Sequence, residues 1–308
     1  MTRIVVLTGA SGFIGSELAR EFLAQGWQVR ALARDPQRAT LAGDPRLTWS
    51  RGELGADLDE AVWLGAELLV HAAWATDTRD PAAAAQQNIQ GAERLFAQAE
   101  NAGVRRLFVS SMSAHPRALS WYGRSKLQIE GMLNPSRDLV VRPGFVLGHG
   151  GVHQRLAGLI ARLPFIPSFY GGNQPVQTIA VAELCQGIVR AAVKQRSGRL
   201  VLASAQAITL DTFYRAIADS LGQPRKPLIH LPGSALASLF GVAEKLHVLL
   251  PMTSENLLGL RALESVDTAD DLKRVDLAPK DYREVLRELA LSPAPSHRAA
   301  APTAQRNP

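Results

Sequence analysis

Short apolar runs alternate with amphipathic helical patterns over the first 145 residues of this 308-residue chain. The apolar runs predict strands at 3–8, 28–33, 47–50, 68–73, 106–111 and 138–143, and the patterns between them predict helices at 13–25, 57–65, 81–102 and 121–133. This alternation is typical of βαβ units, whose consecutive strands lie parallel. Several runs are apolar almost throughout, as expected where helices cover both faces of a sheet. The sequence therefore predicts an α/β fold with a doubly wound parallel sheet.

The regular alternation ends near residue 145, which divides the chain. We predict that residues 1–145 form the sheet domain, that 174–204 returns to it, and that 146–173 and 205–291 form a smaller, mostly helical cap over the substrate. The stretch 292–308 mixes Pro, Ala and polar residues and is predicted to be a disordered tail. Further predictions are an irregular connection at 162–177 and cap helices at 209–222, 234–248 and 281–291.

Composition excludes several classes of protein. Lys and Arg number 34 against 28 Asp and Glu, but the basic residues are scattered, which argues against a nucleic-acid surface. Cys185 is the single cysteine, so no internal disulfide forms, and a reducing compartment is expected. Strand-like sequence from Ile4 leaves no room for a signal peptide, and no apolar run is long enough to span a membrane. We expect a cytoplasmic protein, with the apolar stretch 234–250 either buried in the cap or in contact with a membrane or partner.

A glycine-rich turn, "TGASGFIG" (8–15), joins the first strand to the first helix. Gly9 permits the tight turn, Gly12 lets a pyrophosphate approach the backbone, and Gly15 lets the helix pack closely on the strand. The helix start then presents unpaired N–H groups to the pyrophosphate. The strand, turn and helix context predicts dinucleotide binding by a Rossmann-type fold. The residues predicted to line the cofactor at this turn are Gly9, Ser11, Gly12, Phe13, Ile14 and Gly15.

The end of the second strand bears on which dinucleotide binds. An acidic residue there accepts hydrogen bonds from the adenosine ribose, whereas "ALARDP" places Arg34, whose guanidinium suits a 2′-phosphate. The prediction is NADP, while Asp35 keeps NAD as the alternative because a shift of one residue exchanges the two.

Tyr122 and Lys126 lie four apart in "YGRSK", so both point to one face of a helix. A free phenol titrates near ~10, and a lysine beside it favours the phenolate; a depression of about 3 units corresponds to roughly 4 kcal/mol. The pair is predicted to act as acid and base on a carbonyl or hydroxyl group. Ser111, or else Ser113, is the candidate to bind the same substrate oxygen.

These motifs together resemble the extended and atypical short-chain dehydrogenase/reductases, which include the NAD-dependent epimerase/dehydratase family. The resemblance rests on "TGASGFIG", "HAA" (71–73), the serines at 110–111, "YGRSK" and "RPG" (142–144), in that order. It implies that Lys126 also bonds the nicotinamide ribose and that Tyr122 transfers a proton. One departure is Met112, which stands where sugar-nucleotide epimerases carry a third serine. The resemblance places His71, Ala72, Ala73, Asn88, Tyr122, Lys126, Pro143, Gly144 and Phe145 beside the cofactor.

The substrate is predicted to be a small, largely apolar molecule that carries a carbonyl or alcohol group. Val176 stands near the position at which nucleotide-sugar enzymes carry a diphosphate-binding arginine, and "FIPSFY" (165–170) offers apolar pocket walls at Phe165, Ile166, Phe169 and Tyr170. No metal site is expected, because His149 and His153 lack carboxylates nearby. The predicted function is that of an NAD(P)-dependent oxidoreductase that transfers hydride between the nicotinamide and this carbonyl or alcohol. The alternatives are a nucleotide-sugar epimerase or dehydratase with transient oxidation, and a non-catalytic NADP-binding sensor or assembly protein. The sequence does not fix the oligomeric state; a homodimer is the candidate assembly, since two-helix dimer interfaces are common in similar folds.

Overall fold

The predicted parallel sheet is confirmed. The computed structural model of the chain describes residues 2–36, 41, 43–75, 80–231 and 254–292, so the predictions for 234–250 and for most of the C-terminal tail lie outside the described residues. In chain order the strands are β1 (Ile4–Thr8), β2 (Gln28–Ala33), β3 (Leu47–Arg51), β4 (Leu68–His71), β5 (Arg105–Val109), β6 (Leu139–Pro143), β7 (Phe145–Leu147), β8 (Ile166–Phe169), β9 (Pro175–Val176), β10 (Thr178–Ala180), β11 (Gly198–Leu202), β12 (Ile208–Thr209) and β13 (Leu228–Leu231).

The helices connect these strands on both faces of the sheet. They are α1 (Phe13–Ala24), α2 (Pro81–Asn101), α3 (Trp121–Glu130), α4 (Gly151–Arg162), α5 (Val181–Val193), α6 (Leu210–Ser220), α7 (Ser254–Arg261), α8 (Ala269–Arg274) and α9 (Tyr282–Leu291), with short 3-10 helices at Glu60–Val62 and Tyr170–Gly172.

The main sheet has the strand order β11-β6-β5-β4-β1-β2-β3, all parallel. The chain builds outward from β1 to β3, then returns to β4 on the other side of β1 and builds the opposite way. The loops that follow the neighbouring strands β1 and β4 therefore run in opposite directions. In such sheets, ligands bind in the crevice between these loops, beyond the carboxyl ends of the strands.

Alternating side chains of the strands bury against different helices. Val5 and Leu7 of β1 point into a core shared with α1 and α5, whereas Val6 points into the core beneath α2 and α3. Both faces are thus covered, which explains why the strands read as nearly continuous apolar runs.

A helix at 57–65 was predicted, and this is wrong. Only the 3-10 turn Glu60–Val62 forms; Asp59 caps its start, and Gly65, at φ +70°, stands just beyond it. The guanidinium of Arg30 donates to the carbonyl oxygens of Ala61, Val62 and Leu64, which lie in and just after this turn. The carbonyl groups of this turn thus accept hydrogen bonds from a side chain of β2 instead of from the N–H groups of a longer helix.

The cap has an apolar core of its own. Residues of α4, α6 and α9 pack around β8, and the largest of its fully buried side chains are Phe169, Phe213 and Tyr214. The segment 162–177, predicted to be irregular, includes β8 and β9 instead. Their partners, β13 and β12, follow more than thirty residues later, so local sequence gave no sign of these pairs.

Candidate functional site

The glycine turn has the conformation that dinucleotide binding needs. Gly9 has φ +70°, and a Cβ there would lie 2.7 Å from the Ala73 nitrogen. A Cβ on Gly15 would lie 2.0 Å from the Gly9 carbonyl oxygen, so only glycine lets α1 pack this closely on the turn. Gly12 precedes α1 and offers no side-chain cap, which leaves the first N–H groups of the helix directed at the crevice. The residues present therefore fit a bound pyrophosphate.

The other predicted residues of the turn differ in role. Ser11 is exposed, whereas Phe13 is partly buried. A Cβ on Gly150 would lie 2.3 Å from the ring of Phe13, so this ring packs against the loop that follows β7. The Ile14 carbonyl accepts a long contact of 3.7 Å from the Cys185 thiol. Phe13 and Ile14 thus join α1 to neighbouring elements, while their backbone N–H groups stand at the helix start.

His71 and the two alanines after it form the other wall of the crevice. The Nδ1 atom of His71 lies 2.8 Å from the Thr8 hydroxyl, which also accepts from the Ala73 N–H at 3.2 Å. The ring is 1% exposed and stacks on Phe108. Burial, with a smaller contribution from Lys126, lowers the pKa of His71 to about 3. His71 is therefore a neutral, packed residue at neutral pH.

Arg34 and Asp35 are the first two residues after β2, and both are exposed. In the sheet register Ala33 lies opposite Arg51 of β3. Two arginines therefore stand at the carboxyl end of this strand pair.

The active-site candidates on α3 and the loop before it come together. Ser120 caps α3 by accepting a hydrogen bond from the Gly123 N–H at 3.1 Å. The hydroxyl of Ser111 lies close enough to the phenol of Tyr122 to lower its pKa, and it accepts from the backbone N–H of Ser113 at 3.1 Å. Of the two candidate serines, the structure places Ser111 beside Tyr122.

Tyr122 does not titrate as its sequence setting suggested. As a residue it is 38% exposed, but its phenol end is enclosed, and this burial raises the pKa of Tyr122; the Ser111 hydrogen bond opposes the rise. The expectation that Lys126 depresses the pKa of Tyr122 is wrong for this state of the protein. The lysine is itself buried, and its nitrogen lies 5.7 Å from the centre of the tyrosine ring. Tyr122 is therefore a protonated donor at neutral pH.

Lys126 is enclosed among aromatic rings. Its ammonium donates to the Val109 carbonyl at 2.8 Å and lies 4.0 Å from the centre of the Trp74 ring and 4.5 Å from that of Phe108. Only 4% of the residue is exposed. Burial lowers the pKa of Lys126 to about 7, against the opposing attraction of Glu130.

Sequence reasoning missed Trp74 and Glu130. Trp74 follows "HAA" directly and packs edge-to-face against Tyr122, with ring centres 5.2 Å apart. Glu130, one helical turn after Lys126, accepts from the Ser110 hydroxyl and from the Arg142 guanidinium, both at 2.5 Å. A signal was available: Glu130 continues the i, i+4 stripe of Tyr122 and Lys126 along α3.

Asn88 binds backbone rather than facing outward. It is 1% exposed; its amide oxygen accepts from the Ala75 N–H at 2.8 Å, and its amide nitrogen donates to the carbonyls of Ala75 and Ala84. Both amide hydrogens are thus used, and Asn88 fixes the chain immediately after Trp74.

The segment around Pro143 anchors two loops. The Pro143 carbonyl accepts from the Met112 N–H at 3.2 Å, and a Cβ on Gly144 would lie 2.4 Å from the Gln177 carbonyl oxygen. The ring of Phe145 packs against Phe213 of the cap, with ring centres 4.9 Å apart.

The predicted pocket walls at 165–170 are wrong in part. Ile166 and Phe169 are 0% and 2% exposed because they belong to the cap's own core. The exposed apolar side chains near the tyrosine are instead Leu119 and Trp121, at 38% and 47%.

The cap reaches helix α3 through α7. The Glu255 carboxylate accepts from the Tyr122 backbone N–H at 3.4 Å. After α7, the Ala262 carbonyl accepts from His115 at 2.9 Å, and Glu264 pairs with Arg117 at 2.8 Å. In the described ranges, no helix is long and apolar enough to cross a membrane, and no three metal-ligating side chains converge.

Comparisons with known proteins agree with this geometry. A family model described as NAD(P)H-binding matches residues 9–137. The chain is 34% identical to ceramide reductase of Caulobacter vibrioides over 170 residues, which is 53% of each protein. It is 28% identical over 246 residues to 4-hydroxy-2-methyl-3-oxo-4-farnesyl-3,4-dihydroquinoline-1-oxide ketoreductase of Stigmatella aurantiaca, covering 70% of this chain and 72% of that one. The chain thus spans about half the length of the first of these relatives.

Solved structures show the same fold. UDP-N-acetylglucosamine 4-epimerase from Bacillus cereus superimposes with a TM-score of 0.68 at 12% identity, over 94% of this chain and 96% of that one. The chain thus contains an NAD(P)H-binding domain over residues 9–137 and shares the fold of this epimerase.

Proposed function

We propose that the chain is an NADP-dependent ketone reductase in which Tyr122 donates the proton. The observation that carries this proposal is the closeness of the Ser111 hydroxyl to the Tyr122 phenol. A carbonyl oxygen held at both hydroxyls receives two hydrogen bonds where negative charge develops. When bound, the dinucleotide supplies the hydride that this chemistry requires.

The protonation of Tyr122 favours reduction over oxidation. Because burial raises the pKa of Tyr122, the phenol keeps its proton at neutral pH and can deliver it to the oxygen of the forming alcohol. The balanced reaction consumes one ketone, one NADPH and one proton and yields one alcohol and one NADP⁺. Lys126 stands beside the tyrosine as the positive charge that stabilises the phenolate after transfer.

Apolar surroundings support an apolar ketone as the substrate. Leu119 and Trp121 are exposed on either side of the start of α3, and Trp74 contacts Tyr122. Val176, at the position predicted for a diphosphate-binding arginine, is 3% exposed and offers no positive charge. The names of two relatives, ceramide reductase and the ketoreductase of a farnesyl dihydroquinoline oxide, agree with this class of substrate.

NADP is favoured over NAD by the end of β2. Arg34 is the first residue after the strand, and Arg51 lies at the end of the neighbouring strand. A guanidinium binds a 2′-phosphate through charge-assisted hydrogen bonds.

The test measures NADPH oxidation with a panel of apolar ketones and identifies the alcohol formed. Tyr122→Phe keeps the ring against Trp74 and removes the proton, so turnover should fall by about 10²–10⁴-fold while NADPH affinity is retained. Ser111→Ala should also lower kcat, whereas Ser113→Ala, the matched control, should leave it within about threefold. Turnover of a nucleotide sugar without net NADPH consumption, or full activity of Tyr122→Phe, contradicts the proposal.

A further inference from the structure

The ammonium group of Lys126 lies between two aromatic faces. Trp74 lies on one side at 4.0 Å and Phe108 on another at 4.5 Å, measured from the nitrogen to each ring centre. In the part of the chain that the structure describes, the ammonium donates one hydrogen bond, to the Val109 carbonyl at 2.8 Å. An ammonium has three N–H donors, and the two rings cover part of the surface that this one bond leaves.

The faces of these rings compensate for lost hydration. Burying an ammonium disfavours its charged form, and the pKa of Lys126 falls to about 7 for this reason. An aromatic face carries negative potential and attracts a cation most strongly where water is excluded, with Trp the strongest of the aromatic residues. The charge state of Lys126 is thus balanced near neutrality, where a moderate interaction decides it.

The two rings are held in different ways. Phe108 lies in β5, is fully buried and stacks on His71, so the sheet fixes it. Trp74 lies in the loop after β4, and Asn88 holds that loop through the N–H and carbonyl of Ala75.

We propose that Trp74 is a positioning residue for the reaction: its ring, anchored through Asn88, keeps the buried Lys126 ammonium charged and in place beside Tyr122. The consequence for turnover rests on the proposed function, but the effect on the lysine does not.

Among the described residues, the other groups that face Lys126 do not replace this interaction. His71 of β4 is neutral at neutral pH because burial keeps its pKa near 3. Tyr122 on the same helix is protonated and neutral. Glu130 attracts the ammonium, but its carboxylate also binds Arg142 and Ser110.

The titration of Lys126 tests the proposal directly. The chain contains six lysines, so protein labelled with ¹³C-lysine gives few side-chain signals, and Lys126→Arg assigns the relevant one. Trp74→Leu keeps an apolar cover without a π face, and Trp74→Phe keeps a weaker π face. The control is Trp121→Leu, because Trp121 is exposed and is not among the three rings found near the ammonium in the described residues.

The titration midpoint of Lys126 should be highest with Trp at position 74, lower with Phe and lowest with Leu. It should stay unchanged in Trp121→Leu. Between Trp and Leu we expect about a tenfold loss of proton affinity, which is one pH unit or about 1.4 kcal/mol. A midpoint in Trp74→Leu that is equal to or above that of the wild type overturns the proposal, because Trp74 then acts only by excluding water.

Turnover gives the second readout. If the chain reduces ketones, the pH dependence of kcat in Trp74→Leu should shift downward by the same unit, while KM for NADPH changes less. A lysine midpoint that shifts in protein without reductase activity refutes the proposed function and leaves the role of Trp74 intact. A reductase whose lysine midpoint does not move refutes the role of Trp74 alone.

Discussion

His71 makes the stability of this protein depend on pH in a range where the free imidazole titrates. Its pKa is about 3 in the folded protein against 6.5 in the unfolded chain. Above pH 6.5 the group is neutral in both states and contributes nothing. As the pH falls below 6.5, the unfolded chain takes up a proton that the folded protein does not, so the free energy of unfolding decreases until about pH 3.

The size of this effect follows from the two pKa values of His71. Relative to pH 8, the loss is about 2 kcal/mol at pH 5 and about 3 kcal/mol at pH 4. The variant His71→Phe keeps an aromatic ring against Phe108 and Phe96 but cannot titrate. The wild type should therefore lose about 2 kcal/mol more than the variant between pH 8 and pH 5.

Urea unfolding at a series of pH values, followed by tryptophan fluorescence, measures both curves. Other titrating groups are common to the two proteins, so the difference between the curves isolates His71. The variant's lower stability at pH 8 does not matter, since only the change with pH is compared. If the free energies of unfolding of the two proteins change in parallel between pH 8 and pH 5, the inference that His71 is buried and neutral is refuted.

Three further substitutions test the site. Gly15→Ala should destabilise the protein by about 1–3 kcal/mol or more in thermal melts and weaken NADPH binding, because the new Cβ meets the Gly9 carbonyl. The control is Gly158→Ala, in open space on α4, which should be neutral or stabilising by ~0.5–1 kcal/mol in the same measurement. Asn88→Ala leaves the N–H and carbonyl of Ala75 without their partner and should cost about 1–3 kcal/mol, seen as a lower urea midpoint. Arg34→Ala should weaken NADPH binding by about 10–100-fold with NADH affinity unchanged, measured by calorimetry; an equal loss for both cofactors speaks against a 2′-phosphate contact.

The sequence predicted the fold through local rules. The apolar runs defined β1 to β6 to within about two residues, because strands covered on both faces exclude polar side chains. Gly9 and Gly15 were assigned correctly because a positive φ and a close backbone approach each exclude a side chain. The short turn at Glu60–Val62 was mistaken for a helix because its carbonyls are bound by Arg30, some thirty residues earlier in the chain.

For the candidate site, too, the sequence predicted what depends on local rules and not what depends on distant parts of the chain. Two of its candidate residues, Tyr122 and Lys126, were identifiable from spacing and motif order, since a helix brings i and i+4 to one face whatever the rest of the chain does. Their protonation states could not be predicted from the sequence. It depends on which groups the fold brings around them, and Trp74 reaches Lys126 from a loop more than fifty residues away.

The sequence by itself thus determined the parallel sheet, the glycine turn of the dinucleotide crevice and the placement of Tyr122 and Lys126 on one helix face, because each follows from a periodicity or from the absence of a side chain at one position. Tertiary structure alone decided that Ser111 rather than Ser113 lies beside the phenol, that Tyr122 keeps its proton, and that Lys126 lies between Trp74 and Phe108. The physical reason is that a pKa is set by burial and by neighbours within a few ångströms, and those neighbours come from separate strands and loops.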